Sequence, residues 1–375
     1  MLIDDLSYTA PTSTWRARGT AYVVVAGLVV FGCGDDSGDA NGDTGAGTSG
    51  ETGLGDTSGD TSNDTSDDGS DVSLDDTSDD ADGSETGSRP GYAEVYPLVT
   101  TFPEGAAFDP TDALFYFGTL AAGEVHRLDP ETGESTMVFE ASAPGQWITL
   151  GMAVDEPGRK LWVCAADRET TPFTGQLWVI DLVSGERESA IPLMAGRTPA
   201  WCEDVAVAPD GTAYATDREN PNIYRVAEGQ SELFASDPVL GSDGIGQNGI
   251  VVLPDDAGLL AAIHLPASLN HISMEGEITT VAIDGPFEDT GIGAGADGMV
   301  YVDGDLYVVF DGKLAHVTPT ADDWSAATST MVERPRGLTD IVNTPAGLYL
   351  INGQAIQFAL GQDPIAPFEI VLFDG

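Results

Sequence analysis

The chain is poor in basic residues, histidine and cysteine: 14 Lys and Arg stand against 62 Asp and Glu, with four His and three Cys in 375 residues. A formal net charge of −48 repels phosphate backbones and anionic membrane surfaces, which argues against a nucleic-acid partner and favours the gathering of cations. The sequence also has no phosphate-binding loop, no Gly-x-Ser-x-Gly nucleophile turn and no His/Cys spacing of the zinc type. The glycines of Gly291-Ile-Gly-Ala-Gly-Ala resemble a dinucleotide loop, but they lead into an apolar strand rather than a helix, so they read as a loop. The apolar run Ala21–Phe31 is too short to span a bilayer.

What is present divides the chain into three parts. In residues 1–33, Arg16 and Arg18 precede that apolar run, and Gly32 stands immediately before Cys33. This resembles a bacterial lipoprotein signal peptide with Cys33 as the lipidated residue, although Phe31 is bulkier than the small residue usual there. A simple secretory signal or a short anchor is the alternative. Either reading implies export, to the cell envelope on a lipid anchor or as a secreted protein, with membrane contact through the anchor alone. Residues 34–91 are almost entirely Asp, Ser, Thr and Gly, with 17 acidic residues against one Arg. They cannot bury a core and read as a disordered acidic linker, without the ligand spacing of a calcium loop. From residue 92 the texture changes to short Val, Leu, Ile, Tyr, Phe and Trp runs bounded by Gly, Pro, Asp and Asn, an all-β pattern.

Within residues 92–375 a unit recurs at roughly 40–55-residue intervals: a polar residue, a glycine-like position, an apolar strand, an Asp/Gly turn and a second strand. The clearest copies begin at Leu150, Glu203 and Asp297; others begin at Glu104, Asn248 and Arg336. Six such units predict an all-β, six-bladed β-propeller, with ligands where the innermost strands converge on the axis. The segment Ala93–Thr101 is expected to supply the outer strand of the last blade and so close the ring. Cys164 ends a second strand and Cys202 precedes the next blade's first strand, so both fall on one face. A disulfide between neighbouring blades and two buried thiols are both open.

In register, the axial positions are Glu104, Leu150, Glu203, Asn248, Asp297 and Arg336. Burying three carboxylates near one axis is unfavourable without a compensating cation. Arg336 would offset one charge and a divalent ion the others. Carboxylate and amide oxygens without His or Cys point to a hard cation, and the tolerant geometry of Ca2+ fits best, with another divalent cation as the alternative.

Glu104-Gly, Asn248-Gly-Ile and Asp297-Gly, each entering a blade, resemble the metal motifs of the senescence marker protein (regucalcin), gluconolactonase and luciferin-regenerating enzyme family. Asp204-Val-Ala-Val-Ala-Pro-Asp-Gly-Thr-Ala-Tyr-Ala-Thr-Asp and Gln247-Asn-Gly-Ile-Val are most similar to its calcium-dependent phosphotriesterase-like branch. The resemblance covers about residues 95–360. It implies a divalent-metal lactonase or ester hydrolase with Glu104, Asn248 and Asp297 as metal ligands. The third blade departs from the family pattern, carrying Glu203 where Asn usually precedes Asp204. The corresponding mechanism polarises a lactone or ester carbonyl while Glu203 or Asp204 takes a proton from the attacking water. Arg336 would stabilise the developing oxyanion or hold an acidic substrate, and His264 would contact substrate, His271 less so. The resulting expectation is a monomeric, exported hydrolase of a small molecule; a non-catalytic calcium-binding propeller is the principal alternative, and a propeller lyase a third.

Overall fold

Six sheets form the blades among the described residues, five of them four-stranded and antiparallel; the fifth has five strands, because Ala282–Asp284 pairs parallel with the outer strand Ala326–Glu333, and the sixth takes its outermost strand from the start of the propeller. The computed structural model describes residues 92–374 except 144, 171, 172, 243, 244 and 289–294, together with three short strands between residues 14 and 31. Those three, Thr14–Ala17, Thr20–Val25 and Leu28–Phe31, pair into an antiparallel sheet. Cys33 and the acidic linker lie outside the described residues.

The innermost strands are Pro103–Asp109, Trp147–Asp155, Cys202–Val207, Ile245–Val252, Met299–Val302 and Leu338–Thr344. The second strands are apolar almost throughout because both of their faces are covered by neighbouring blades; Ala213–Asp217 is buried at every position. Fourth strands such as Ser135–Glu140 form the outer rim and are largely open to water. Among the described residues one α-helix, Ala355–Ala359, interrupts the all-β pattern between the second and third strands of the sixth blade.

The apolar core is distributed into six clusters, one between each pair of adjacent blades. Trp162, Cys164, Val205 and Tyr224 pack between blades two and three, for example, and Tyr116, Met152, Val163 and Trp178 between blades one and two. This arrangement leaves the axis without an apolar filling, and polar side chains are admitted there. The ring closes as the sequence leads one to expect, through a shorter strand: Val95–Pro97 pairs antiparallel with Glu369–Leu372, and Tyr96 packs with Phe115, Tyr349 and Phe368. Cys164 and Cys202 are bonded to one another, joining blades two and three within their shared cluster.

Candidate axial site

Five of the innermost strands carry a β-bulge where they reach the axis, the fifth blade has the same arrangement just before its strand, and this fixes the register. Two residues oppose one on the second strand, as between Pro103 and Ala106, which face Thr119 and Phe117, and between Cys202 and Val205, which face Asp217 and Ala215. Similar shifts occur at Leu150-Gly151, Asn248-Gly249 and Thr339-Asp340. In the fifth blade Asp297 and Gly298 oppose Val309, which accepts from Asp297 N at 2.8 Å and donates to Gly298 O at 2.9 Å. The first bulge residues around the ring are therefore Glu104, Leu150, Glu203, Asn248, Asp297 and Thr339.

This corrects the sixth axial position. Arg336 precedes the strand; Gly337, which follows it, has φ +100° and belongs to the entering turn, not to the bulge. The Arg336 side chain is 64% exposed and donates to Asp311 Oδ2 at 3.0 Å. Thr339 takes its place, buried, with its hydroxyl donating to Glu104 O at 3.1 Å. The signal for this was in the sequence: Thr339-Asp-Ile-Val repeats Glu203-Asp-Val-Ala, with Asp340 in the place of Asp204.

The second bulge residues form their own pattern, Gly105, Gly151, Asp204, Gly249, Gly298 and Asp340. The two aspartates stand three blades apart and make matching bonds. Asp204 accepts from Val205 N at 2.8 Å and Ile250 N at 2.9 Å, and Asp340 from Ile341 N at 2.8 Å and Ala106 N at 2.6 Å. Both line a cavity of about 320 Å³ at the end of the axis toward which the inner strands run. Asp204 is thus separated from Glu203, and its carboxylate is engaged by backbone N–H groups at the opposite mouth.

The other mouth opens into a cavity of about 390 Å³ that brings together Glu104, Glu203, Asn248, His264 and Asp297. Glu104 is buried and its Oε2 has no hydrogen-bond partner. Burial first, then the charges of Asp297, Glu203, Asp340 and Asp204, push its carboxyl well above the usual range. Asp297 is raised in the same direction by burial and then by Glu203, against the lowering effects of Arg218 and of its hydrogen bond with Asn248. Glu203 is held differently. Its Oε2 accepts from Trp201 Nε1 at 2.5 Å and its Oε1 lies 3.4 Å from Arg218 Nη1, while burial raises its pKa.

His264, on the second strand of blade four, bonds through Nδ1 to Ala296 O at 2.9 Å, and Asn248 Nδ2 lies 3.4 Å from the same nitrogen. A carbonyl only accepts, so Nδ1 carries the proton and Nε2 is the basic nitrogen. Burial lowers its pKa to about 4, with Arg218 adding to the effect, so the ring is neutral at pH 7. His271 lies in the third strand, bonded to Ala257 O at 2.7 Å, away from this cavity. Sequence reasoning missed the rest of the wall: Arg168, Phe173, Trp201, Arg218 and, from the short helix, Phe358.

Among the described residues, no three His, Cys, Asp or Glu side chains converge into a ready-made metal cage. The fit to a cation rests on a different donor set, two carboxylates and an amide, and on the partnerless Oε2 of Glu104. Oxygen donors of this kind suit a hard divalent ion.

A pH effect follows from Asp204. Burial raises its pKa from 3.8 to about 7, so between these values the folded protein holds a proton that the unfolded chain has lost. Stability therefore falls as pH rises through that window. Glu104, Asp297 and Asp340 are raised too and act in the same direction. Thermal unfolding without divalent cations should show a lower melting temperature at pH 8 than at pH 5, and Asp204→Asn should reduce the slope. A flat profile would refute this account.

No protein-family model matches the chain, and no curated protein sequence does. Solved structures match its fold. The major allergen Mala s 1 of Malassezia sympodialis superposes with a TM-score of 0.60 at 18% identity, covering 74% of this chain and 95% of that one. A gluconolactonase from Xanthomonas campestris gives 0.52 at 15% identity, covering 73% and 86%. Regucalcin from Agrobacterium tumefaciens, a calcium-binding protein, gives 0.52 at 17% identity, covering 75% and 93%. Such identities speak for the fold, and chemistry has to be argued from the site. The chain is a six-bladed β-propeller structurally similar to regucalcin and gluconolactonase at low sequence identity.

Proposed function

We propose that the cavity binds a divalent cation, calcium in the first instance, and hydrolyses a small lactone or ester. The carrying observation is the buried Glu104 carboxyl with its partnerless Oε2, electrostatically opposed by Asp297. Glu104, Asn248 and Asp297 would hold the ion. When bound, it would polarise the substrate carbonyl and stabilise charge developing on that oxygen. Glu203 is the candidate base: burial raises its pKa toward working pH, which strengthens a carboxylate as a proton acceptor, while Trp201 and Arg218 fix its direction. Asp204 is not retained in that role, because it lies at the other mouth. His264 supports the wall beside Asn248, and its neutral ring offers Nε2 as an acceptor. The Arg16, Arg18 and Cys33 leader supports export with a lipid anchor.

The test is hydrolysis of a panel of aldonolactones and aryl esters with and without calcium. Glu203→Gln should lower kcat by about 100-fold or more, the usual contribution of a general base, with calcium affinity kept within about threefold. Calcium binding without turnover of any substrate would sink the hydrolase reading in favour of a non-catalytic binding propeller.

A further inference from the structure

The cavity's arginines come from one turn used twice. Ala166-Asp167-Arg168-Glu169 ends the second strand of blade two, and Thr216-Asp217-Arg218-Glu219 ends that of blade three. In both, the buried aspartate folds the turn: Asp167 Oδ1 accepts from Glu169 N at 2.9 Å and Asp217 Oδ1 from Glu219 N at 3.1 Å. In both, the arginine N–H is tied to the preceding loop, Arg168 to Gln146 O at 2.9 Å and Arg218 to Trp201 O at 3.0 Å. Both guanidiniums lie over an aromatic ring on the cavity wall, Arg168 over Phe358 at 5.1 Å and Arg218 over Trp201 at 5.3 Å.

Charge makes this placement informative. The body is acidic and most of its cations have a carboxylate within 4 Å, Arg159, Lys160, Arg225, Arg334 and Arg336 among them, although Arg127, Arg187 and Arg197 have none among the described residues. Arg168 has no carboxylate partner among the described residues, and Arg218 has only the long contact to Glu203 at 3.4 Å. Two cations from adjacent blades, each backed by a flat apolar ring and both lining one cavity, form a receptor for a planar or apolar molecule that carries an anionic group.

We propose that Arg168 and Arg218 form an anion clamp that selects carboxylate-bearing substrates, with the acid at the arginine wall and the reacting carbonyl toward Glu104, Asn248 and Asp297. The orientation rests on the hydrolase reading above; the clamp itself does not require turnover. It is tested by calorimetric binding of phenylacetate and of its neutral isostere phenylacetamide to the full chain, with calcium saturating. The wild type should bind phenylacetate at least tenfold more tightly. Arg168→Gln should bring the two within threefold of each other, and Arg168→Lys should retain part of the preference.

Equal binding of the two probes, binding of neither, or a preference unchanged in Arg168→Gln would overturn the clamp. The last result would assign the preference to the ion alone. Because Arg168 is at the exposed rim, the variant should fold, and its melting temperature checks that. A protein that prefers phenylacetate but turns over nothing retains the clamp and loses the hydrolase; turnover without charge preference does the reverse.

Discussion

Calcium affinity should fall at least about 100-fold, or roughly 2.7 kcal/mol, in both Asp297→Asn and Glu104→Gln, while the same substitutions raise the melting temperature of the cation-free protein at pH 8. The two signs have one origin. Both carboxyls are buried, and each is pushed up by burial and by its acidic neighbours. Ionising them without a counter-charge is costly, and a cation converts that cost into affinity. Each pKa unit corresponds to about 1.4 kcal/mol, and each kcal/mol to about 2–4 °C in a domain of this order, so a rise of about 3 °C or more is expected. Calorimetric titration and thermal unfolding in chelator check the pair. Loss of calcium binding with a lowered cation-free melting temperature would mean ordinary structural damage; unchanged binding would remove these residues from the metal site.

The second large effect concerns the bulge glycines. A Cβ added at Gly105 would sit 2.5 Å from Gly151 Cα and within overlap of Leu150 O, and one at Gly151 would sit 2.7 Å from Asp204 Cα. These obstacles are backbone atoms of the adjacent inner strand, so no rotamer change relieves them. Gly105→Ala should cost at least about 3 kcal/mol, read by denaturant unfolding, or leave no folded protein. Gly133→Ala provides the comparison: its φ of +71° disfavours an L side chain, a demand that Gly105 does not make, but an added Cβ there meets nothing within 4 Å. It should cost about 1–2 kcal/mol. If the two variants lose the same stability, the inner ring is looser than described.

Asp204 and Asp340 occupy the equivalent position without such a penalty because each carboxylate lies in the space that Gly151 and Gly298 leave open, and caps N–H groups on two strands. The glycines and aspartates of this layer are therefore one arrangement. The repeat was legible because strand, turn and strand recur with alternating apolar content, and Glu104, Glu203, Asn248 and Asp297 fell into register through it. Arg336 did not, since Arg-Gly337 imitates the residue-glycine pairs of other blades while Thr339-Asp340 carries the actual bulge. The arginine and aromatic wall was out of reach for another reason. Phe358 comes from a helix inserted within the sixth blade, and Trp201 and Arg218 are joined by bonds around Asp217 that no periodicity encodes.

The closure through Val95–Pro97 also has a temporal side. The strand made first in the propeller must wait for the strand made last, Glu369–Leu372, before it has a partner. Until then Tyr96, Phe115 and the other apolar residues of their cluster lack the covering that Tyr349, Phe368 and Ile370 provide. Contacts of such long sequence separation are slow to form. During synthesis, the sixth blade is thus the interval in which this chain is most open to aggregation, and its completion closes the ring.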